Sequence, residues 1–162
     1  MHIVPPMEMA ADYAMPAITK LTSAVSLPVI VTGRINHPQT AERILCTKET
    51  DLCGMTRALI ADPDMPAKAI TGASDKIRVC IACNQACTGH GLSGFPISCI
   101  QYPESGRERS LGVKTRTENR RNVVIAGGGP AGLKAGAVAA ERGHSVTPVS
   151  YTHLTLPTIC SV

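Results

Sequence analysis

Apolar positions follow two different spacings in the first part of the chain. In residues 13–25, YAMPAITKLTSAV, they recur every three or four residues, as on one face of a helix. Residues 27–33, LPVIVTG, form instead a short continuous apolar run rich in β-branched side chains, which is typical of a buried parallel strand. The pattern therefore predicts a helix followed by a buried strand.

A similar order follows. Residues 38–45 predict a second helix with Pro38 near its start, residues 51–61, DLCGMTRALIA, predict a second buried strand, and residues 62–70 begin another short helix. Helices and strands that alternate with short loops are typical of βαβ units. The predicted fold class is α/β, with the two strands parallel.

Residues 122–126, NVVIA, predict a strand, and the turn GGGPAG that follows opens an alanine-rich helix. Gly127, Gly129 and Gly132 match the pattern G-x-G-x-x-G. The strand before the turn and the helix after it make this match typical of dinucleotide binding, rather than of a turn that merely favours glycine.

Each glycine of this turn has an expected role. Gly127 permits the tight turn, Gly129 lets a pyrophosphate approach the backbone, and Gly132 allows close packing of helix and strand. Pro130 and Ala131 begin the helix, whose free N–H groups and dipole stabilise phosphates. An acidic residue for the ribose is expected about 20 residues further on, but residues 148–162 contain no Asp or Glu.

Residues 148–162 are suspect on other grounds. The stretch VSYTHLTLPT, residues 149–158, matches what the DNA of a transposase-end adapter used in sequencing libraries would encode, which suggests the hypothesis that it is translated adapter. We expect native sequence to stop at about Thr147, and the alternative is a natural polar tail. Coding sequence without an adapter match beyond Thr147 in the source contig would end this hypothesis.

Four cysteines follow the pattern C-x2-C-x3-C-x11-C: Cys80, Cys83, Cys87 and Cys99. The chain opens without a signal peptide, so we expect a cytoplasmic protein, in which clustered thiols are more often ligands than disulfides. Three close cysteines and a distant fourth favour a [4Fe–4S] cluster, because structural zinc usually takes two separated C-x2-C pairs. Zinc and thiols without a ligand role are the alternatives.

Three further residues are expected to have no part in chemistry. Cys46 and Cys53 precede the cluster motif, and we expect both to be buried as small apolar residues. His90 lies between the third and fourth cysteines. A solvated or hydrogen-bonded histidine is expected there rather than a ligand.

Composition narrows the choice of partner. The chain has 162 residues, 44% hydrophobic and 2% aromatic, with a net charge of +4. Basic residues cluster in residues 107–121, without interleaved aromatics, which indicates a solvated linker rather than a nucleic-acid surface. No apolar run approaches the roughly 20 residues of a membrane span. We expect a small-molecule substrate, with neither nucleic acid nor membrane as partner.

The segments PVIVTGRI, TRALIADPDMPAKA, IRVCIACNQAC, PISC and GGGPAGL, in this order, resemble the flavin oxidoreductases typified by 2,4-dienoyl-CoA reductase. The resemblance implies an FMN-binding (β/α)8 barrel similar to old yellow enzyme, then a [4Fe–4S] cluster, then a Rossmann-like domain for FAD and NAD(P)H. The implied division is the last part of the barrel in residues 1–76, the cluster segment in 77–102, a linker in 103–121 and the start of the FAD domain in 122–147.

The resemblance also assigns FMN contacts to Gly33, Arg34, Thr56 and Arg57, which would follow barrel strands seven and eight. Two guanidinium groups beside a dianionic phosphate can donate bidentate hydrogen bonds. Thr56 stands where glycine or alanine is usual, which weakens that assignment. For each arginine, the alternative is a surface ion pair.

The implied activity passes electrons from NAD(P)H through FAD and the cluster to FMN, which reduces an enoyl-type C=C bond. The x3 spacing favours this reductase over the related amine dehydrogenases. Those dehydrogenases and the N-methyl amino-acid demethylases of the same family stay open as alternatives. A whole barrel takes about 250 residues, so we expect a fragment that is inactive alone and lacks the catalytic proton donor. An alternative from another class is a stand-alone iron–sulfur or zinc module.

Overall fold

The computed structural model describes residues 3–11, 13–48, 50–112 and 115–150. The chain divides into two compact units, Met1–Glu108 and Arg109–Val162, called here unit one and unit two. Each unit contains one two-stranded parallel sheet. The predicted α/β class and the parallel strands are therefore confirmed.

Unit one opens with the helix–strand pattern that the sequence predicts. Its regular elements are α1 Met15–Thr22, β1 Ile30–Thr32, α2 Pro38–Cys46, β2 Leu52–Gly54, α3 Thr56–Ala61, α4 Met65–Ile70 and the short α5 His90–Leu92. A proline lies in the first turn of α1, α2 and α4, where no helical hydrogen bond needs its missing N–H.

The core of unit one lies on one side of the β1–β2 pair. Val31, Ile35 and Ile44 are buried together, and residues of α1 and α2 pack against them. Val31 on β1 is 1% exposed, whereas its neighbour Ile30 is 57% exposed. Side chains alternate between the faces of a strand, so only one face of this sheet is covered within unit one.

The predicted strand over residues 51–61 is wrong beyond Gly54. Its second half forms α3, with Ala58 and Ala61 buried three residues apart. The apolar run therefore serves two elements, a short strand and one and a half turns of helix. The expectation that the second strand is buried is also wrong, because Leu52 is 54% exposed.

Residues 77–102, which we call the cysteine segment, follow the short 3₁₀ turn Ser74–Lys76. Most of the segment is irregular, apart from a widened helical turn at Gln85–Gly89 that continues into α5. The Ser98 N–H donates to the carbonyl of Ala86 at 2.8 Å. This hydrogen bond ties the end of the cysteine segment back to its middle.

The start of the predicted linker is packed, whereas the described residues of its basic stretch, 107–121, are mostly exposed, as the sequence predicted. Glu104 and Ser105 are 6% and 8% exposed within unit one. Residues Glu108–Gly112 form a second widened helical turn, and residues 115–121 lead to the next strand.

Unit two contains β3 Asn122–Ala126, α6 Pro130–Glu141 and β4 Ser145–Val149. The strands pair in parallel, from Asn122 beside Ser145 to Ala126 beside Val149. The predicted strand, glycine turn and helix are confirmed. The last strand continues through Pro148, where the predicted adapter-derived tail begins, and residues 151–162 of that tail lie outside the described residues.

Candidate functional site

A cavity of about 460 Å³ opens at the carboxyl ends of β1 and β2 in unit one. Its walls come from residues 3–5, 32–36 and 54–58 and from the cysteine segment, including Cys80 and Cys87. Four predicted flavin contacts and two predicted cluster ligands therefore line the same cavity. Ligands of parallel α/β sheets bind at this edge of the strands.

Gly33 and Arg34 form the turn that leaves β1. Gly33 has φ +143°, and a Cβ atom there would lie 3.0 Å from the Tyr13 ring, so both conformation and space favour glycine. Arg34 is itself left-handed at φ +53°. Its Nε is buried and has no hydrogen-bond partner among the described residues. A buried donor without a partner is costly, and Arg34 is one of the residues that line the cavity.

Thr56 and Arg57 begin α3, rather than ending a strand as the sequence predicted. Arg57 is bound within unit one, since its Nη1 donates to the Pro5 carbonyl at 2.9 Å and to Asn84 Oδ1 at 2.6 Å. Asn84 Nδ2 in turn donates to the Val4 carbonyl at 3.2 Å. Arg57 therefore joins the start of the chain to the cysteine segment, and a surface ion pair is not its arrangement.

Cys80 lines the cavity, and the pKa of its thiol is affected both by a cavity residue, Arg57, and by two other cysteines. Burial raises the pKa of the Cys80 thiol, and the nearby Cys87 and Cys99 add to the rise. The Ala82 N–H, 3.4 Å from Cys80 Sγ, and the charge of Arg57 act in the opposite direction. The surroundings thus contain groups that stabilise a thiolate, the form that binds metals.

Cys83 is flanked by backbone of an uncommon kind. Ala82 and Asn84 both have left-handed conformations, with φ +56° and +57°. Such conformations are uncommon outside glycine and concentrate at functional sites.

The four predicted ligand cysteines are all free and partly buried. Within the described ranges, however, no three Cys, His, Asp or Glu side chains are grouped so that they could hold one metal ion. The donor chemistry of four thiols fits an iron–sulfur cluster, while the side chains here are not gathered around a common centre.

The predictions for the three residues expected to have no part in chemistry, Cys46, Cys53 and His90, have different outcomes. Cys46 is exposed, with Sγ 3.6 Å from Glu42 Oε1, so its predicted burial is wrong: it lies at the solvent-facing end of α2. Cys53 packs partly buried against the core, and burial raises the pKa of its thiol. His90 is exposed, and its Nδ1 lies 3.2 Å from the Pro96 carbonyl, which confirms a hydrogen-bonded histidine.

Polar residues missed by the sequence reasoning fix the start of the cysteine segment. Asn36 Nδ2 donates to the Cys80 carbonyl at 2.6 Å. Asp62 is 1% exposed and accepts from Lys68 Nζ at 2.6 Å and from the Arg78 N–H at 2.8 Å. The contacts of Cys80 and Arg78 join residues 44 and 16 positions apart in sequence, so local patterns carry no signal for them.

In unit two, the three glycines of the turn differ in what requires a glycine at each position. Gly127 has φ +116°, and a Cβ at Gly132 would overlap the Gly127 carbonyl oxygen. Around Gly129, by contrast, no heavy atom of the described chain lies within 4 Å of a built Cβ. Gly129 caps α6, and Pro130 and Ala131 form its first turn. Nothing in the described chain therefore requires a glycine at position 129, which leaves approach of a ligand as its physical rationale.

Among the described residues, none of the helices has the length and apolar composition that a membrane span requires.

Comparison with known proteins finds relatives that are similar to most of this chain. Residues 1–76 match the NADH:flavin oxidoreductase / NADH oxidase family. A metal reductase of Desulforamulus reducens is 46% identical over 127 residues, covering 78% of this chain and 19% of that protein. A cinnamate reductase of Clostridium sporogenes is 36% identical over 143 residues, covering 88% of this chain and 21% of that protein.

Among solved structures, 6-hydroxypseudooxynicotine amine oxidase from Pseudomonas geniculata N1 superposes with a TM-score of 0.80 at 32% identity. The match covers 91% of this chain and 23% of that one. The chain thus spans about a fifth of the length of the proteins that it resembles.

Proposed function

We propose, from the membership of residues 1–76 in the NADH:flavin oxidoreductase / NADH oxidase family, that the chain is the central part of a flavin- and iron–sulfur-dependent oxidoreductase. Unit one would contain the end of an FMN-binding (β/α)8 barrel and the cluster segment, and unit two the start of a Rossmann-like domain. The observation that carries this proposal is the single cavity lined by both the predicted flavin contacts and two predicted cluster cysteines.

The cavity offers what a flavin phosphate requires. The buried Arg34 Nε needs an acceptor, and a phosphate oxygen would supply one. Gly33, which has no side chain, and Thr56, which carries a hydroxyl, line the same cavity. Arg57, held by Pro5 and Asn84, would contribute its charge and keep the cysteine segment against the cavity.

Cys80, Cys83, Cys87 and Cys99 would hold the cluster. Support comes from the four free, partly buried thiols and from a backbone N–H already directed at Cys80 Sγ. Backbone donors of this kind stabilise thiolate sulfur and adjust cluster potentials. Cluster assembly would draw the four sulfurs closer together than they lie in the chain alone.

Unit two would take a pyrophosphate at the start of α6. The open space at Gly129 supports close approach of a ligand to the backbone, and the free N–H groups of the first turn would donate to phosphate oxygens. FAD is the proposed ligand, with NAD(P)H as the electron donor.

When bound, these groups would supply hydride transfer from NAD(P)H and single-electron transfer to the flavin that reduces an enoyl-type C=C bond. The chain's own part is to bind and orient: Arg34 and Thr56 at the flavin cavity, the four cysteines beside it. The similarity to a cinnamate reductase supports an enoate substrate.

A second candidate is an amine or N-methyl amino-acid dehydrogenase. The similarity to an amine oxidase structure at a TM-score of 0.80 favours it. The two candidates differ in the direction of electron flow at the substrate, because an enoate accepts electrons from the flavin while an amine supplies them.

The test is anaerobic assay of the protein translated from the complete reading frame. Cinnamate-type enoates should be consumed with oxidation of NADH or NADPH. Reduction of the bound flavin by a methylated amine, without nicotinamide, would favour the second candidate instead. If protein that carries flavin shows neither of these two reactions, the proposed activity is refuted.

A further inference from the structure

We propose that Arg78 is a positioning residue of the cysteine segment. It holds the first residues of the segment against its last residues and against the end of α3, an arrangement called here the clamp. This inference deepens the proposed function and rests on it, because the clamp would bring the distant Cys99 to the three other ligands. Three independent contacts of Arg78 support it.

The first two contacts fix the incoming chain. The Arg78 N–H donates to Asp62 Oδ2 at 2.8 Å, and its Nη1 donates to the Ala61 carbonyl at 2.8 Å. Asp62 is 1% exposed and is also held by Lys68 Nζ at 2.6 Å. The residue two positions before Cys80 is therefore attached to a buried anchor at the end of α3.

The third contact fixes the outgoing chain. The Arg78 guanidinium carbon lies 4.7 Å from the centroid of the Tyr102 ring, within the range of a cation–π interaction. Beside it, Gln101 Nε2 donates to the Val79 carbonyl at 2.9 Å. The two ends of the cysteine segment therefore run next to each other, with Cys80 and Cys99 just inside the clamp.

Closing a loop before its ligand arrives removes part of the ordering cost from the binding step. Arginine suits this task because its planar fork can donate to a carbonyl while its face stacks on a ring. A lysine at position 78 would keep the charge but lose one of these two contacts. The side chain at 78 is therefore expected to affect how firmly a cluster is held, although it is not itself a ligand.

The experiment uses the protein from the complete reading frame, in five forms besides the unchanged protein. Arg78→Lys removes the planar guanidinium that makes both contacts at once, Tyr102→Leu removes the ring on which it stacks, and the double variant combines the two changes. Tyr102→Phe keeps the ring, and Arg43→Lys on α2 is the matched control for the substitution itself. Two rates are measured: loss of iron to a chelator under anaerobic conditions, and reaction of the apoprotein thiols with DTNB.

We expect Arg78→Lys and Tyr102→Leu to raise both rates about threefold to thirtyfold, the range of a cation–π contact converted at a tenfold change per 1.4 kcal/mol. The double variant should be no faster than the faster single variant, because both substitutions act on the same Arg78–Tyr102 contact. Tyr102→Phe and Arg43→Lys should leave both rates within about twofold of the unchanged protein. Flavin content should stay constant throughout.

Two outcomes separate this inference from the proposed function. If the unchanged protein carries iron and sulfide but Arg78→Lys loses iron no faster than Arg43→Lys, the clamp is refuted and the cluster stands. If no protein carries iron, the proposed function fails, while the DTNB rates of the apoprotein still decide whether Arg78 and Tyr102 hold the segment closed. Additive effects in the double variant would also overturn the clamp.

Discussion

Replacing Asp62 by asparagine removes a buried negative charge on which three donors converge. Its carboxylate accepts from Lys68 Nζ at 2.6 Å, from the Arg78 N–H at 2.8 Å and from the Asp64 N–H at 3.2 Å. Asparagine has nearly the same volume, so no cavity forms. It offers one acceptor oxygen in place of two and directs an NH₂ group at one of the former donors.

The cost follows from these contacts. Hydrogen bonds to a charged group contribute about 1.5–3 kcal/mol each. The Lys68 side chain is 26% exposed and regains water when the carboxylate is lost, so its contribution is discounted. We expect a local loss of about 2–3 kcal/mol, which corresponds to about 30- to 150-fold faster opening.

Hydrogen exchange of the Arg78 amide measures this opening directly, because that N–H is bonded to Asp62 Oδ2. Exchange within α2 is the internal reference, since it should not change. Lys68→Met is the matched control: it leaves the carboxylate and the Arg78 bond in place and should accelerate exchange less than about tenfold. Exchange of Arg78 at the original rate in Asp62→Asn would refute the reasoning.

The same site predicts a pH dependence. Burial pushes the pKa of Asp62 upward, but the hydrogen bonds from Lys68, Arg78 and Asp64 and the Lys68 charge outweigh it, so the pKa is lowered. A carboxyl with a lowered pKa contributes stability above its unfolded value of about 3.9 and loses it as pH falls through the folded value. Protection of Arg78, corrected for intrinsic exchange, should therefore be constant near neutrality and decline below about pH 4. In Asp62→Asn this decline should vanish.

Three further predictions concern other parts of the chain. Ile44→Ala in the core of unit one should lower the free energy of unfolding by about 2–5 kcal/mol, measured in urea, whereas a loss below about 1 kcal/mol would contradict its burial at 1% exposure. Gly132→Ala should disrupt unit two, because the new Cβ would collide with the Gly127 carbonyl. Gly129→Ala, in open space, should keep the circular dichroism spectrum and weaken nucleotide binding in equilibrium dialysis. Equal effects of the two substitutions would contradict the assigned roles. Cys46→Ser should leave the iron content unchanged, because this thiol is exposed on α2, and a loss of iron would show that it is a ligand.

Local patterns in the sequence predict most of the regular elements. The apolar spacing of α1, the proline at the start of α2 and the glycine turn before α6 all depend on residues close together in the chain. The strand predicted over residues 51–61 fails because a short apolar run fits a strand and a helix equally well. The signal that could have divided it is the i, i+3 pair Ala58 and Ala61 after Gly54.

The site is less predictable than the elements. Motif spacing predicted the four ligand cysteines, and the family resemblance predicted Gly33 and Arg34 as flavin contacts. The structure places Gly33, Arg34 and Cys80 on the walls of one cavity. The partners of Arg57 lie 52 and 27 residues away, at Pro5 and Asn84. Contacts of this kind depend on tertiary packing, so periodicity and turn chemistry carry no record of them.

The measurement that tests the account most directly is the joint content of flavin, iron and acid-labile sulfide in protein translated from the complete reading frame and purified without oxygen. The account predicts FMN together with iron and sulfide in equal amounts, as in a [4Fe–4S] cluster, and loss of both iron and sulfide when Cys87 is replaced by serine. Zinc in place of iron, or a cluster in protein that binds no flavin, would contradict the claim that one cavity joins a flavin to the cysteine segment.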